Sequence, residues 1–179
     1  MTNTQKARIQ RTILFEWIMS IEGGFVNHPH DRGGKTKFGI SQHAHPDIDI
    51  ATLTIEQAQD IYLADYWHAN QCGEMPLPVG FALFDAAVNH GNTQAVKMLQ
   101  QALGVTQDGI VGPITLQKTY LVNYAKIVHD LSVIRARFYY ALVRSDSTQE
   151  HFLNGWNSRL FRLNNFINNH NMLTGPSYA

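Results

Sequence analysis

Apolar residues recur at helical spacing along most of this chain. Ile9, Ile13, Leu14, Trp17, Ile18 and Ile21 share one face of a helix predicted over residues 5–21, and Gly23-Gly24 ends it. Residues 23–46 lose that periodicity; they hold five glycines among Gly23, Gly24, Gly33, Gly34 and Gly39, with Pro29 and Pro46, and read as a turn-rich segment with room for a short hairpin. Helical spacing then returns. Thr54 with Gln57 forms a capping-box pattern opening a helix to about Trp67. Pro76 and Pro78 introduce another, running to Asn89 with Gly91 just beyond. Asn92 or Thr93 caps the next, which carries Val96, Leu99 and Leu103 on one face and stops at Gly104. Asp108-Gly109 and Gly112-Pro113 are turns, and Pro113 suits a first helical position. A long helix is predicted over 123–144, and Ser147 with Glu150 is a second capping-box pattern opening a last helix to about Asn169, with a frayed tail after His170. The fold class is mainly α, with a glycine-rich loop or short β-hairpin near the N-terminus. No linker-like stretch separates the parts, so any two lobes are expected to share one packed body.

Composition narrows the class. Hydrophobic residues make up 44% of 179 residues, enough for a real core, and charged residues only 16%. Fourteen basic residues balance fourteen acidic ones, so no bulk charge argues for nucleic acid. Recognition of an anionic polymer would have to be local. The single cysteine, Cys72, excludes an intramolecular disulfide. Lys6, Arg8 and Arg11 precede an apolar stretch from Ile13 to Ile21, yet Glu16 interrupts it and no small-residue cleavage site follows. The expectation is a protein made in the cytoplasm without a cleavable signal and with no membrane span.

The chemistry concentrates in one segment, Glu22-Gly-Gly-Phe-Val-Asn-His-Pro-His-Asp31-Arg-Gly-Gly-Lys-Thr36-Lys-Phe-Gly39-Ile-Ser41. Glu22 closes an apolar helix beside two glycines that leave backbone room for a ligand. A carboxyl set against apolar groups has its charged form disfavoured, which raises its pKa and keeps a general acid protonated. Asp31 follows across the glycine-rich turn, and Thr36 offers a hydroxyl that can hold a water. An acid, a second carboxylate and a hydroxyl are a minimal set for glycoside cleavage. Each residue alone has a plain alternative: Glu22 as a solvated helix end, Asp31 as a turn former. Spacing by itself names no reaction.

The run Glu22-Gly23-Gly24-Phe25, Asn27, Pro29, Asp31, Gly33-Gly34, Thr36, Gly39-Ile40-Ser41 closely resembles the N-terminal motif of glycoside hydrolase family 108, N-acetylmuramidases found as phage endolysins and bacterial wall-degrading proteins. The likeness continues through Tyr66-Trp67, Cys72 and Met75-Pro76, and through Phe84-Asp85, Ala87-Val88-Asn89 and Gly91. Leu99-Gln100 to Gly112-Pro113 resembles a peptidoglycan-binding-type segment, and Phe152, Gly155-Trp156 and Arg159 a closing helix. The resemblance implies a lysozyme-like helical fold. It implies a catalytic segment over 1–92 and a helical peptidoglycan-binding-type segment over 93–179. It implies cleavage of the β-1,4 bond between N-acetylmuramic acid and N-acetylglucosamine. Glu22 is then the catalytic acid, with Asp31 and Thr36 as further catalytic candidates whose division of labour stays open. This sequence departs from the family pattern at His28, His30, Arg32 and Gly73, the last standing where an aspartate is often found.

Other groups admit two readings. Asp85 and Asn89 share a helix face and either line a cleft as substrate-binding residues or form a buried polar pair. Tyr62 and Trp67, with Tyr66, either stack sugar rings or fill the core; Trp156 reads as core. His28, His30, His43 and His45 flank the glycine loop, but their spacing matches no zinc hydrolase signature, so neither metal nor other cofactor is expected. The Leu99–Thr115 stretch is either a wall-binding element or a packing unit whose glycines serve turns. The rivals are a non-catalytic peptidoglycan-binding module, a zinc amidase or peptidase, and a lytic transglycosylase. The expected partner is the peptidoglycan glycan strand, with the enzyme acting in the periplasm or on the wall after release or secretion. A phage endolysin and a secreted antibacterial effector both fit, and an effector would bring an immunity protein as a further partner.

Overall fold

The computed structural model describes residues 3–21 and 36–173, with side chains of the first helix from residue 11 onward. The chain is mainly α, as its periodicity requires, and carries one two-stranded antiparallel hairpin among the described residues. It divides into two compact units, Met1–Ala64 and Asp65–Ala179.

In the first unit, helix α1 spans Asn3–Ile21 and buries Leu14, Trp17 and Ile18, the i, i+3, i+4 stripe of its pattern. Strands β1 (Thr36–Lys37) and β2 (Ile40–Ser41) pair Thr36 with Ser41 and Lys37 with Ile40. Helix α2, Ile55–Tyr62, opens with the predicted capping box: Thr54 Oγ1 accepts from the Gln57 backbone N–H, and Gln57 Oε1 accepts from the Thr54 N–H. Beyond Tyr62 the predicted single helix changes character, and Leu63–His68 is π-helical.

In the second unit a 3₁₀ turn, Cys72–Glu74, leads into α3, Leu77–His90. Every residue of α3 from Leu77 to Ala87 is buried, which marks it as the central helix, enclosed on all sides. The turn sits so close to it that a Cβ on Gly80 would lie 2.2 Å from the Cys72 carbonyl oxygen. Cys72 is fully buried and unbridged, and burial pushes its thiol pKa up. Helices α4 (Asn92–Leu103), α5 (Pro113–Leu121), α6 (Tyr124–Ser145) and α7 (Glu150–Asn169) complete the unit; α4, α6 and α7 pack on α3, and Phe81 of α3 stacks on Phe166 of α7.

Two predicted caps are used differently. Asn92 does not cap α4; its Oδ1 accepts from Asn70 Nδ2 (2.8 Å) and its Nδ2 donates to the Asp65 carbonyl (2.9 Å), tying α4 to the π-helical stretch. Ser147 does not open α7 through a capping box; Asp146 accepts from the Thr148 N–H and hydroxyl and caps a 3₁₀ turn, Ser147–Gln149, that precedes the helix.

Candidate active site

Glu22 and Asp31 lie outside the described residues, so the site is defined by what borders them. Glu22 follows Ile21, the last residue of α1, whose inner face is the buried Trp17 and Ile18. Thr36, half-buried, opens β1 at the other end of the segment. The hairpin turns on Phe38 (φ 52°) and Gly39 (φ 76°), two consecutive left-handed residues, the conformation that matches the twist of a two-residue hairpin. Glycine adopts it freely. Phe38 does not, and its carbonyl is held by a 2.9 Å hydrogen bond from the Tyr62 hydroxyl. Lys37 Nζ donates to the Ala51 carbonyl (3.0 Å). Gln42 organises the next loop from within, donating to the carbonyls of His45 and Ile48 and accepting from the Ile50 N–H. Gln42 carried no signal in the sequence beyond its place after the hairpin.

Of the four residues weighed as substrate contacts, Tyr62, Trp67 and Asp85 are buried and Asn89 is half-exposed. Tyr62 is 3% exposed and Trp67 2%, so neither offers a ring face to a sugar; the stacking-wall alternative is replaced by a structural one. Tyr62 anchors the hairpin turn, and Trp67 packs edge-on against Phe84, 5.9 Å between centroids. A side chain at Gly73 would begin 3.3 Å from Trp67 Nε1, a physical reason for glycine at that departure from the family pattern. Trp156, read as core, is only half-buried, stacked between Tyr139 and Phe152.

Asp85 is fully buried, and the cleft-lining alternative is likewise replaced. Its Oδ1 accepts from Arg159 Nε and lies 2.9 Å from Arg159 Nη2, while its Oδ2 lies 2.8 Å from Arg135 Nη1. The Arg135 approach is an ion pair by distance but off the hydrogen-bonding direction. One carboxylate thus joins α3 to α6 and α7. Asn89, one turn on and half-exposed, accepts a 2.5 Å hydrogen bond from the Tyr139 hydroxyl through Oδ1. The next residue, His90, accepts from Arg135 Nε at 3.2 Å. Burial, then the Arg135 charge, lowers its pKa to about 3, so the ring is neutral and its proton sits on Nδ1. Sequence reasoning missed the role of Arg135. The signal was a cation on the apolar stripe of a long helix, between Leu131 and Phe138.

Among the described residues no group of three or more histidines, cysteines or carboxylates is placed to hold a metal ion, and no helix is long and apolar enough to cross a membrane. In sequence, the glycine-rich segment is preceded by the apolar end of α1 and followed by the braced hairpin.

The sequence profile of glycosyl hydrolase 108 matches residues 15–91. A solved structure, SagA of Brucella abortus, is 31% identical, with a TM-score of 0.71, over 90% of this chain and 92% of that one. The chain belongs to the glycosyl hydrolase 108 family. The family match runs from the last turns of α1 through the glycine-rich segment and hairpin to the end of α3. A second profile, described as a predicted peptidoglycan domain, matches residues 94–161, from α4 into α7. No curated protein matches the chain. As a family member the protein is a glycoside hydrolase.

Proposed function

We propose that this glycoside hydrolase cleaves the β-1,4 bond between N-acetylmuramic acid and N-acetylglucosamine in peptidoglycan, with Glu22 as general acid. The observation that carries the reading is the family match across residues 15–91, which contains the Glu22-Gly23-Gly24 run, Asp31 and the Thr36–Ser41 hairpin in one segment. The peptidoglycan-domain match over residues 94–161 supports the substrate class. In this reading residues 1–92 cut and residues 93–179 hold the wall. Glu22 gives its proton to the glycosidic oxygen as the bond to the anomeric carbon breaks, and water attacks that carbon. Asp31 takes the water's proton or stabilises the oxocarbenium-like transition state, and Thr36 orients the water.

The test is digestion of purified peptidoglycan by wild type and Glu22→Gln, with reducing ends counted and products weighed. The isosteric change should keep the fold and lower the rate by about 10²–10⁴-fold or more, the usual worth of general acid catalysis. Near wild-type wall clearing by Glu22→Gln refutes the assignment. Products ending in 1,6-anhydro sugars would make the protein a lytic transglycosylase, and wall binding without new ends would make it a binding module.

A further inference from the structure

Between α4 and α5 the chain folds over one buried amide. Gln100 is 1% exposed. Its Nε2 donates to Asp108 Oδ1 (2.6 Å), the Ile110 carbonyl (3.0 Å) and Thr115 Oγ1 (3.3 Å), and its Oε1 accepts from the Gly109 N–H (2.9 Å). Gly109 has φ +80°, and a Cβ there would meet Thr93 Cγ2 at 2.9 Å, so the turn is fixed from both sides. The loop held this way encloses a pocket of about 220 Å³. Val105, Ile110, Pro113 and Ile114 supply its apolar wall and Asp108 its charge.

Three features select an occupant. Ile110 and Ile114 are 69% and 73% exposed, and two large apolar side chains standing in water at the rim of one pocket form a surface that a ligand can cover. Asp108 is ionised: the Gln100 amide and then the Ile110 N–H, which donates at 2.9 Å, hold its carboxyl below the usual range. Both bonds fall on Oδ1, and among the described residues Oδ2 accepts none. Among the described residues no lysine, arginine or histidine lines the pocket; the nearby Lys97 side chain passes Gly109, its Cε 3.3 Å from where a Cβ there would stand. The volume is below the roughly 300–1,000 Å³ of pockets that enclose drug-sized ligands, which suits a side chain rather than a disaccharide. Among the described residues no aromatic ring lines it for a sugar to stack on.

We infer that this pocket binds the alkylammonium arm of a diamino acid in the peptide stem of peptidoglycan, its methylenes against Ile110, Pro113 and Ile114 and its ammonium on Asp108. The inference rests on peptidoglycan as the substrate and adds that the second segment reads the stem, not the glycan. It also sets a preference: an amine acylated in a cross-link has lost its charge, so the pocket selects uncross-linked stems.

The test titrates the full-length protein, by calorimetry or NMR, with the tripeptide L-Ala–γ-D-Glu–L-Lys and with its Nε-acetylated form. Acetylation should weaken binding by about tenfold or more, the worth of a charge-assisted contact. Asp108→Asn, which keeps the Oδ1 acceptor, should weaken the free-amine peptide to the same degree. Ile114→Ala, at a solvent-exposed position that cannot disturb the core, should weaken it by about fivefold through lost apolar cover. The diaminopimelate tripeptide separates the two natural sources of the amine, and amine-dependent binding of either supports the assignment. Equal affinity for free and acetylated peptides, no binding of either, or an unchanged affinity in Asp108→Asn overturns it. Reducing-end release by the wild type without amine-dependent binding removes this pocket assignment alone. Amine-dependent binding together with a fully active Glu22→Gln removes the catalytic reading alone.

Discussion

Replacing Asp85 by asparagine separates the two uses a buried carboxylate on the central helix could have. In the native protein one carboxylate faces two guanidinium groups, at 2.8 Å and 2.9 Å, with side-chain exposures of 0% for Asp85, 0% for Arg135 and 12% for Arg159. The side chain of asparagine is almost the same size, so the change removes charge and leaves the packing. Two cations then stand in the interior without their shared anion. Breaking a buried pair costs about 3–5 kcal/mol. With two cations stranded the upper part of that range applies, so we expect a loss of about 4 kcal/mol out of the roughly 5–15 that a domain has. At a urea slope of about 2 kcal/mol per molar, the midpoint should fall by about 2 M. At about 2–4 °C per kcal/mol the melting temperature should fall by about 10 °C. Intrinsic fluorescence reads the transition directly, since Trp67 and Trp156 both lie in the second unit. Arg135→Met added to Asp85→Asn removes one stranded cation and should return about 1–3 kcal/mol. A midpoint within about 0.3 M of wild type, together with collapsed wall hydrolysis at a temperature where the variant is folded, would refute the structural role and return Asp85 to the substrate.

Two further outcomes follow from the same unit. Gly80→Ala places a Cβ 2.2 Å from a backbone oxygen, that of Cys72; the Cys72–Glu74 turn must move, and urea denaturation should show a loss of about 3 kcal/mol, whereas a neutral substitution would mean that the turn is not held against α3. His90 binds its proton less readily when folded, about 3 against 6.5, so the unfolded chain takes up a proton that the native one refuses. Its contribution to stability is complete above about pH 6.5 and is lost as the pH falls toward 3, at up to about 1.4 kcal/mol per unit. Stability measured between pH 7 and 4.5 should fall less steeply in His90→Gln than in wild type, and parallel slopes would count against a neutral, half-buried ring beside Arg135, Asp85 and Arg159.

The helices were legible because a 3.6-residue period needs nothing beyond the local chain, and the α3 and α4 ends were legible because Gly91 and Gly104 take positive φ, +79° and +68°. Of the two caps used differently, Ser147 yields to its neighbour Asp146, which caps the 3₁₀ turn, and Asn92 is held by tertiary partners. Asn92 is chemically a good cap, but Asn70 and the Asp65 carbonyl compete for the same atoms, and neither is near it in sequence. The π-helical stretch after Tyr62 and the left-handed Phe38 have no local signature at all; each depends on what the surrounding structure holds in place.

The polar face of α3 shows how far sequence reasoning about a site can go. Asp85 and Asn89 stand one turn apart on α3, and the sequence alone leaves two uses open for them, cleft or seam. The choice depends on what stands opposite, and that is set by α6 and α7, far along the chain. Opposite Asp85 stand two arginines, and opposite Asn89 stands the Tyr139 hydroxyl. A carboxylate already shared by two guanidinium groups has little capacity left for a sugar hydroxyl, and releasing it would strand both cations. At Asp85 the face is therefore a seam that joins α3 to α6 and α7. The reverse holds at the α4–α5 loop. Its glycines and Gly112-Pro113 are accounted for by turn chemistry, yet the loop they make is kept open by a buried glutamine, Gln100, that turn chemistry does not require. A carboxylate with one oxygen committed to the loop and the other left to solvent is the arrangement expected where a loop has been shaped to present a charge, and a free amine on the wall is the charge it would meet.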